Sequence, residues 1–172
     1  MTTSRSAEHG TFTITRTYPV PPERVFAAWS SKEAKARWFG APGAPGYELD
    51  FRVGGTEINR GGPPGGPVFT YEATYRDIVP GERIVYGSVM DADDTLISVS
   101  VTTVQFAPAP SGTTLTFTEQ GVFLDGGDRP AMREKGTGGP ARCPGCVADL
   151  TEGRCFLEPR TRAERALFGI RP

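Results

Sequence analysis

The chain has 172 residues, a length that suits one domain or one domain followed by a tail. Its 19 basic and 20 acidic residues give a formal net charge of −1, which argues against nucleic acid as the main partner. The 22 glycines and 16 prolines predict many turns and argue against an all-helical bundle.

The sequence predicts a cytoplasmic protein without a membrane span. No stretch of about 18 consecutive apolar residues occurs, so no transmembrane helix is expected. The polar N-terminus lacks the apolar core of a signal peptide. The three cysteines are an odd number and fit a reducing compartment better than a disulfide framework.

The N-terminal part predicts a leader and a first strand. Residues 1–10 are polar and predict a disordered leader. The stretch Thr11–Val20 is rich in threonine and aromatic or branched residues, and its apolar positions Phe12 and Ile14 alternate with polar ones. This pattern predicts a β-strand.

Two short helices are predicted to follow. Pro21–Pro22 cannot continue a paired strand but suits the first turn of a helix. Ser30 and Glu33 have the spacing of a capping box, which predicts that a second helix begins there with a change of direction. Gly40 is expected to end that second helix.

The middle of the chain predicts a β-meander. Apolar and polar residues alternate with a period of two, and the alternating segments are separated by turns rich in Gly, Pro and Asp. The predicted segments are Tyr47–Val53, Thr56–Arg60, Val68–Val79, Glu82–Met90, Leu96–Phe106 and Thr113–Gln120. Tight turns imply antiparallel neighbours, and an apolar face of this length needs a further long amphipathic helix to cover it.

The composition changes near Gly138. A helix is predicted to begin over Ala131–Lys135, but Gly136 and the residues after it interrupt the pattern. Residues 138–172 therefore form an atypical tail. One hypothesis is a reading-frame change, because G/C-rich codons for Pro140–Leu150 encode a leucine-rich segment with helical spacing when read one base later. The alternative is a genuine divergent tail.

Four stretches resemble a known family in content and order. They are Phe12–Gly40, Leu49–Gly55, Phe69–Tyr86 and Thr113–Asp128. Over residues 11–137 the chain is similar to the START-like, polyketide cyclase-like (SRPBCC) superfamily, and within it to the branch of the activator of a heat-shock-protein ATPase.

The resemblance implies an α+β helix-grip fold. In this fold a curved antiparallel sheet, here of six to seven strands with two short N-terminal helices, wraps a C-terminal helix and leaves a cavity between them. That helix is expected to be truncated or altered in this chain. Members of the superfamily bind lipids, sterols, hormones or polyketides, and some cyclise or hydrolyse them.

The candidate cavity residues lie at the end of the second helix and on the inner sheet face. They are Trp38, Phe39, Phe51, Tyr71, Tyr75, Tyr86, Met90, Phe106, Phe117 and Glu119. Each has a structural alternative, since aromatic residues on half-buried strands are also expected in a plain core. No catalytic residue is assigned. A nucleophile–base pair needs a histidine in the fold, and the sole histidine, His9, lies in the leader. Acid–base work would fall to carboxylates or tyrosines, and the candidates are interpreted as structural: Asp50, Glu119, Tyr71, Tyr75 and Tyr86.

No metal or cofactor is predicted. Cys143, Cys146 and Cys155 could suggest zinc, but a structural site needs four ligands and no histidine lies nearby. The glycine-rich stretches Gly54–Gly55 and Gly61–Pro67 lack the Lys-Ser/Thr of a phosphate-binding loop and are interpreted as turns.

Two functions from different classes are carried forward. The first is binding of an apolar small molecule between sheet and helix, with or without cyclase- or hydrolase-like turnover. The second is a protein-interaction module of co-chaperone type that stimulates a chaperone ATPase. A homodimer that covers an exposed sheet face is a further hypothesis.

Overall fold

A computed structural model describes residues 5–39 and 46–138. The elements in chain order are β1 (Ala7–Tyr18), α1 (Pro22–Ser30), α2 (Lys32–Trp38), β2 (Glu48–Leu49), β3 (Thr56–Gly61), β4 (Phe69–Val79), β5 (Arg83–Ala92), β6 (Thr95–Ala109), β7 (Gly112–Leu124) and α3 (Pro130–Gly138). The predicted α+β class and the helix-grip architecture are confirmed.

All strands belong to one curved, open sheet of seven strands in the order β1-β7-β6-β5-β4-β3-β2. Every pair is antiparallel, as expected for a meander whose short turns join consecutive strands. The first strand forms the edge of the sheet opposite β2. It pairs with β7, which places Ile14 opposite Phe117 and Arg16 opposite Leu115.

The alternation along β7 separates the two faces of the sheet. Leu115, Phe117 and Glu119 are buried on the inner face, and the threonines between them are partly exposed on the other face. Because side chains alternate along a strand, this register carries both the apolar wall and a buried carboxylate to the same side.

The two N-terminal helices cover part of the inner face. Pro22 occupies the first turn of α1, where its missing N–H costs no hydrogen bond. Trp29 of α1 packs against Trp38 of α2 with ring centroids 4.8 Å apart, and against Phe117 of β7 at 6.4 Å. The Trp38 indole donates a hydrogen bond to the carbonyl oxygen of Ala28 at 3.2 Å, which fixes the angle between the helices.

Two N-terminal predictions need correction. The first strand begins at Ala7, so the prediction of a disordered leader is wrong for residues 7–10. The N-cap of α2 is Ser31 and not Ser30, because the Ser31 hydroxyl accepts a hydrogen bond from the backbone N–H of Ala34 at 3.3 Å. The carboxylate of Glu33 accepts from the Ser31 hydroxyl at 3.1 Å.

The second strand is much shorter than the predicted Tyr47–Val53, since only Glu48–Leu49 pairs with β3. The chain turns immediately afterwards: the Gly55 N–H donates to the Arg52 carbonyl oxygen at 2.8 Å. Backbone hydrogen bonds within this turn replace the ladder bonds that a longer strand would need.

The final described helix, α3, continues through Gly136 to Gly138, beyond the predicted interruption. The predicted end of α2 at Gly40, the three cysteines and the proposed change of frame lie outside the described residues. Among the helices that are described, none combines the length and apolar character needed to cross a membrane.

Candidate functional site

A cavity of about 680 Å³ lies between the concave face of the sheet and the three helices. Its wall combines aromatic and aliphatic side chains from α1, α2 and the strands β4 to β7. The side of the cavity next to α3 is formed by Ile14 and Arg16 from β1 together with Gly136 and Thr137. The fold therefore leaves a hollow where a continuous core would otherwise be.

The structure brings seven of the ten predicted cavity residues together on this wall: Trp38, Phe39, Tyr71, Tyr86, Met90, Phe117 and Glu119. The other three, Phe51, Tyr75 and Phe106, do not line it. Phe51 packs on the ring of Tyr75 with a centroid separation of 5.0 Å, and Phe26 packs between Phe51 and Phe106 at 5.8 and 5.5 Å. These three rings belong to the core beside the cavity.

Sequence reasoning missed a buried ion pair next to the cavity. Lys35 of α2 is 1% exposed and Glu57 of β3 is fully buried. The Lys35 Nζ atom donates to Glu57 Oε2 at 2.6 Å and to the Tyr75 hydroxyl oxygen at 3.1 Å. Lys35 also lines the cavity, so its wall includes a cation whose counter-ion, Glu57, is fully buried.

The carboxylate of Glu57 is held by three donors. Besides Lys35, the hydroxyl of Tyr75 donates to Oε2 at 2.8 Å and the hydroxyl of Tyr47 donates to Oε1 at 2.7 Å. Both oxygens of this buried carboxylate therefore have partners, which offsets part of the cost of removing its charge from water.

The Lys35 ammonium also lies among aromatic rings. It is 5.1 Å from the ring centroid of Trp29 and 5.2 Å from that of Phe39, distances at which the negative ring faces attract a cation. Burial nevertheless lowers the pKa of Lys35, and the charge of Glu57 acts in the opposite direction. Burial therefore disfavours the charged form of the amine, and Glu57 stabilises it.

A second buried cluster attaches α3 to the sheet. The Arg133 guanidinium donates to Glu119 Oε1 at 3.0 Å, to Asp128 Oδ2 at 2.6 Å and to the Ser98 hydroxyl oxygen at 2.6 Å. The hydroxyl of Ser100 donates to the same Glu119 oxygen at 2.8 Å. Glu119 is therefore bound through one oxygen from two elements, and its charge faces that of Arg133.

Arg16 is the third cation on the wall, and it differs from the other two. Its guanidinium makes one hydrogen bond within the described residues, from Nη2 to the carbonyl oxygen of Gly138 at 2.8 Å. No carboxylate within ion-pair distance of it occurs in residues 5–39 and 46–138.

One signal for Lys35 was present in the sequence. Lys35 and Trp38 are three residues apart and share one helix face, and they are the two buried residues of α2. A lysine on an apolar helix face suggests a buried partner. Neither Glu57 nor Arg133 gives such a signal in its own segment, because their partners come from elements distant in sequence.

Four tyrosines around the cavity keep their protons to high pH. Burial raises the pKa of Tyr71, Tyr75 and Tyr86, and the negative charge of Glu57 adds to the effect. Burial and the same carboxylate raise the pKa of Tyr47. Their phenol groups therefore act as hydrogen-bond donors, and not as bases, at neutral pH.

Above about pH 10.5 we expect the free energy of unfolding to fall as the pH rises. Unfolded tyrosine ionises near its ordinary pKa of 10.0, whereas the buried tyrosines stay protonated, so the unfolded state binds fewer protons. Lys35 has the opposite effect below its ordinary pKa of 10.5, because its lowered pKa makes the folded state bind fewer protons there. Above that pH Lys35 also loses its proton in the unfolded state, so it no longer opposes the effect of the tyrosines.

Urea unfolding between about pH 10.5 and about pH 11.5 measures this slope. The variant Tyr75→Phe removes one of the buried phenols. Its free energy of unfolding should therefore fall with pH less steeply than that of the wild type, and the two slopes should differ by up to about 1.4 kcal/mol per pH unit. Equal slopes in the variant and the wild type would show that Tyr75 ionises normally in the folded protein.

The described residues contain no group of three or more His, Cys, Asp or Glu side chains that could hold a metal ion. Lys35 and Arg133 on the wall instead form ion pairs with carboxylates. The arrangement offers an apolar enclosure with few free polar groups.

A curved sheet that holds a cavity against flanking helices defines a helix-grip protein. More closely, the chain belongs to the family described as Activator of Hsp90 ATPase homolog 1-like protein, whose model matches residues 19–138. This agrees with the resemblance found in the sequence. Among curated proteins, none matches the chain at a significant level.

Several solved structures are similar to this chain. An uncharacterized protein from Rhizobium leguminosarum is 49% identical, with a TM-score of 0.74 and coverage of 78% of this chain and 91% of its own. The Mll3558 protein from Rhizobium loti is 46% identical, with a TM-score of 0.73 and coverage of 77% and 92%. Protein CV1439 from Chromobacterium violaceum is 31% identical, with a TM-score of 0.56 and coverage of 66% and 80%.

Proposed function

We propose that the protein binds an apolar small molecule in the cavity between the sheet and the helices. The observation that carries this proposal is the size and lining of the cavity: about 680 Å³, with Trp29, Trp38, Phe39 and Phe117 on its wall. Small-molecule sites are typically concave, mostly apolar and about 300–1,000 Å³ in volume. The family's membership in a superfamily of ligand-binding proteins supports the same conclusion.

The energetics favour an apolar ligand. The carboxylates of the wall, Glu119 and Asp128, are satisfied by Arg133, so they do not require a cationic ligand. What the wall offers is aromatic and aliphatic surface, and burial of apolar area contributes about 25 cal/mol per Å². A ligand with one or two rings or an alkyl chain fits this balance.

The same contacts favour binding over turnover. A general acid or base must reach the proton that it transfers. Lys35 and Glu119 are each held in ion pairs with hydrogen bonds shorter than about 3.1 Å, and both are buried. These contacts stabilise the site, and either group would lose its ion pair if it changed its charge in a reaction.

A neutral fluorescent probe tests the proposal. N-phenyl-1-naphthylamine is apolar and uncharged, and its fluorescence rises when it leaves water. We expect saturable binding to the wild type and at least about tenfold weaker binding to Ser88→Phe. Ser88 is buried and lines the cavity, so an added ring occupies the space of the probe.

The matched control is Val101→Phe. Val101 lies on the neighbouring strand, is 51% exposed and belongs to the opposite face of the sheet. This variant adds a ring of the same kind without filling the cavity, so its affinity for the probe should stay within about twofold of the wild type. Equal weakening by both substitutions, or probe binding that does not saturate, would refute a specific site in the cavity.

The family description supports a second candidate, stimulation of a chaperone ATPase. Such a role uses an outer surface, so Ser88→Phe would leave it intact. An Hsp90 ATPase assay with the wild type and Ser88→Phe separates the two functions: equal stimulation by both favours the co-chaperone, and no stimulation by either favours the ligand-binding protein.

A further inference from the structure

The charges on the cavity wall are unevenly matched. Lys35 faces Glu57 at 2.6 Å, and Arg133 faces both Glu119 and Asp128. Arg16 also lines the cavity, but no carboxylate of the described residues pairs with it. A half-buried guanidinium therefore stands on an apolar wall with no acidic partner in residues 5–39 and 46–138.

The hydrogen bond that Arg16 makes uses only part of its hydrogen-bonding capacity. One N–H of Nη2 donates to the carbonyl oxygen of Gly138 in α3 at 2.8 Å. A guanidinium has five N–H donors in a planar fork. The remaining donors have no hydrogen-bond partner among the described residues.

The strand register places the Arg16 side chain at one end of the apolar wall. Arg16 is paired with Leu115, and Ile14, two residues earlier on the same face, is paired with Phe117. All four residues line the cavity. From β1 the strand order runs through β7 and β6 to β5, which carries Tyr86. Three strand spacings separate Arg16 from Tyr86, about 14 Å along the sheet.

We propose that Arg16 binds the carboxylate of an amphipathic ligand whose apolar body occupies the cavity. This inference rests on the proposed function and names the chemical class of the ligand: an aliphatic or aromatic acid with its carboxylate at β1 and its body extending towards β5. The planar fork of arginine matches the two oxygens of a carboxylate, and partial burial strengthens the charge-assisted bonds.

Lys35 and Arg133 are poorer anchors for such a ligand. A ligand carboxylate at Lys35 would compete with Glu57, which already takes the ammonium at 2.6 Å and is fully buried. At Arg133 it would meet the charges of Glu119 and Asp128. Like charges at short distance oppose binding, which leaves Arg16 as the cation on the wall that can accept an anion.

Competition for the bound N-phenyl-1-naphthylamine tests this inference. Dodecanoate and dodecanol share an extended alkyl chain comparable in length to the wall and differ in charge. We expect dodecanoate to bind the wild type at least about tenfold more tightly than dodecanol, and Arg16→Gln to reduce this ratio to about one. The affinity for the neutral probe should not change, which reports an intact cavity in the variant.

The matched control is Arg24→Gln, which removes the same charge from an exposed position on α1. It should keep the wild-type ratio. An unchanged ratio in Arg16→Gln, or an equal loss in both variants, would overturn the role of Arg16 while probe binding still supported the cavity. Failure of the neutral probe to bind the wild type would instead overturn the proposed function, and the role of Arg16 with it.

Discussion

The variant Glu57→Gln is expected to lower the free energy of unfolding by about 3–5 kcal/mol. The substitution keeps the shape of the side chain but removes the charge that faces Lys35 at 2.6 Å, and both side chains are almost completely buried. The ammonium then remains in an apolar site among aromatic rings without a counter-ion. Desolvation of that charge is the main physical cause of the loss.

A double-mutant cycle with Lys35→Met isolates the pair. Methionine fills a similar volume without charge, so Lys35→Met combined with Glu57→Gln should be more stable than Glu57→Gln alone, with a coupling energy of at least about 2 kcal/mol. Urea unfolding of the four proteins gives this coupling from the midpoints and slopes.

The exposed pair Arg83–Asp77 is the matched control. Its atoms are 2.7 Å apart, nearly as close as those of the buried pair, but its side chains are 48% and 42% exposed. Asp77→Asn should therefore cost less than about 1 kcal/mol. If Glu57→Gln cost no more than Asp77→Asn, or if the double variant were the least stable of the set, burial would not control the energy of the Lys35 pair.

The sheet was predictable because its information is local. Alternating segments and Gly/Pro turns recur along the chain, and each strand pairs with a neighbour in sequence from β2 to β7. The family resemblance implied the helix-grip architecture, but the pairing of β1 with β7, whose residues are far apart in the sequence, was not predicted. Where local signals were ambiguous the errors were small: Ser30 and Ser31 are adjacent serines, and only the structure shows that the second caps α2.

The charged groups of the site were not predictable in the same way. Hydrophobic patterning assigns Glu57 and Arg133 to the surface, since isolated charges are rarely buried, and for Lys35 it offers only the helix face shared with Trp38. Their burial depends on partners that folding supplies from other elements, 22 residues away for Lys35 and 14 for the Arg133–Glu119 contact. The aromatic candidates were easier to choose, but the pattern could not separate Tyr71, on the cavity wall, from Tyr75, which is turned to the ion pair.

Gly112→Ala is expected to destabilise the protein strongly and to disturb the cavity wall. Gly112 begins β7 with a φ of +136°, a conformation that residues with a side chain rarely adopt. A Cβ atom there would overlap the carbonyl oxygen of Tyr18 and lie 2.7 Å from the backbone nitrogen of Val20. Left-handed strain of about 1–2 kcal/mol and overpacking of about 1–3 kcal/mol together predict a loss of roughly 2–5 kcal/mol.

Gly81→Ala separates the two causes. Gly81 also has a positive φ, +75°, but no atom lies within 4 Å of its ideal Cβ position. Its alanine variant should lose only the conformational part, about 1–2 kcal/mol. Thermal or urea unfolding compares the two, and equal losses would mean that the backbone near Tyr18 moves aside and that close packing at Gly112 is unimportant.

The two glycine variants should also differ in binding, because Gly112 sets the position of the wall. The Thr113 hydroxyl donates to the Val20 carbonyl oxygen at 2.6 Å, so the start of β7 is fastened to the segment that leads into α1. Leu115 and Phe117 follow on the same strand and face the cavity. A displaced strand start shifts both side chains relative to Trp29, so Gly112→Ala should weaken N-phenyl-1-naphthylamine binding several-fold while Gly81→Ala leaves it unchanged. Loss of stability in Gly112→Ala with full affinity for the probe would show that the wall does not depend on this contact.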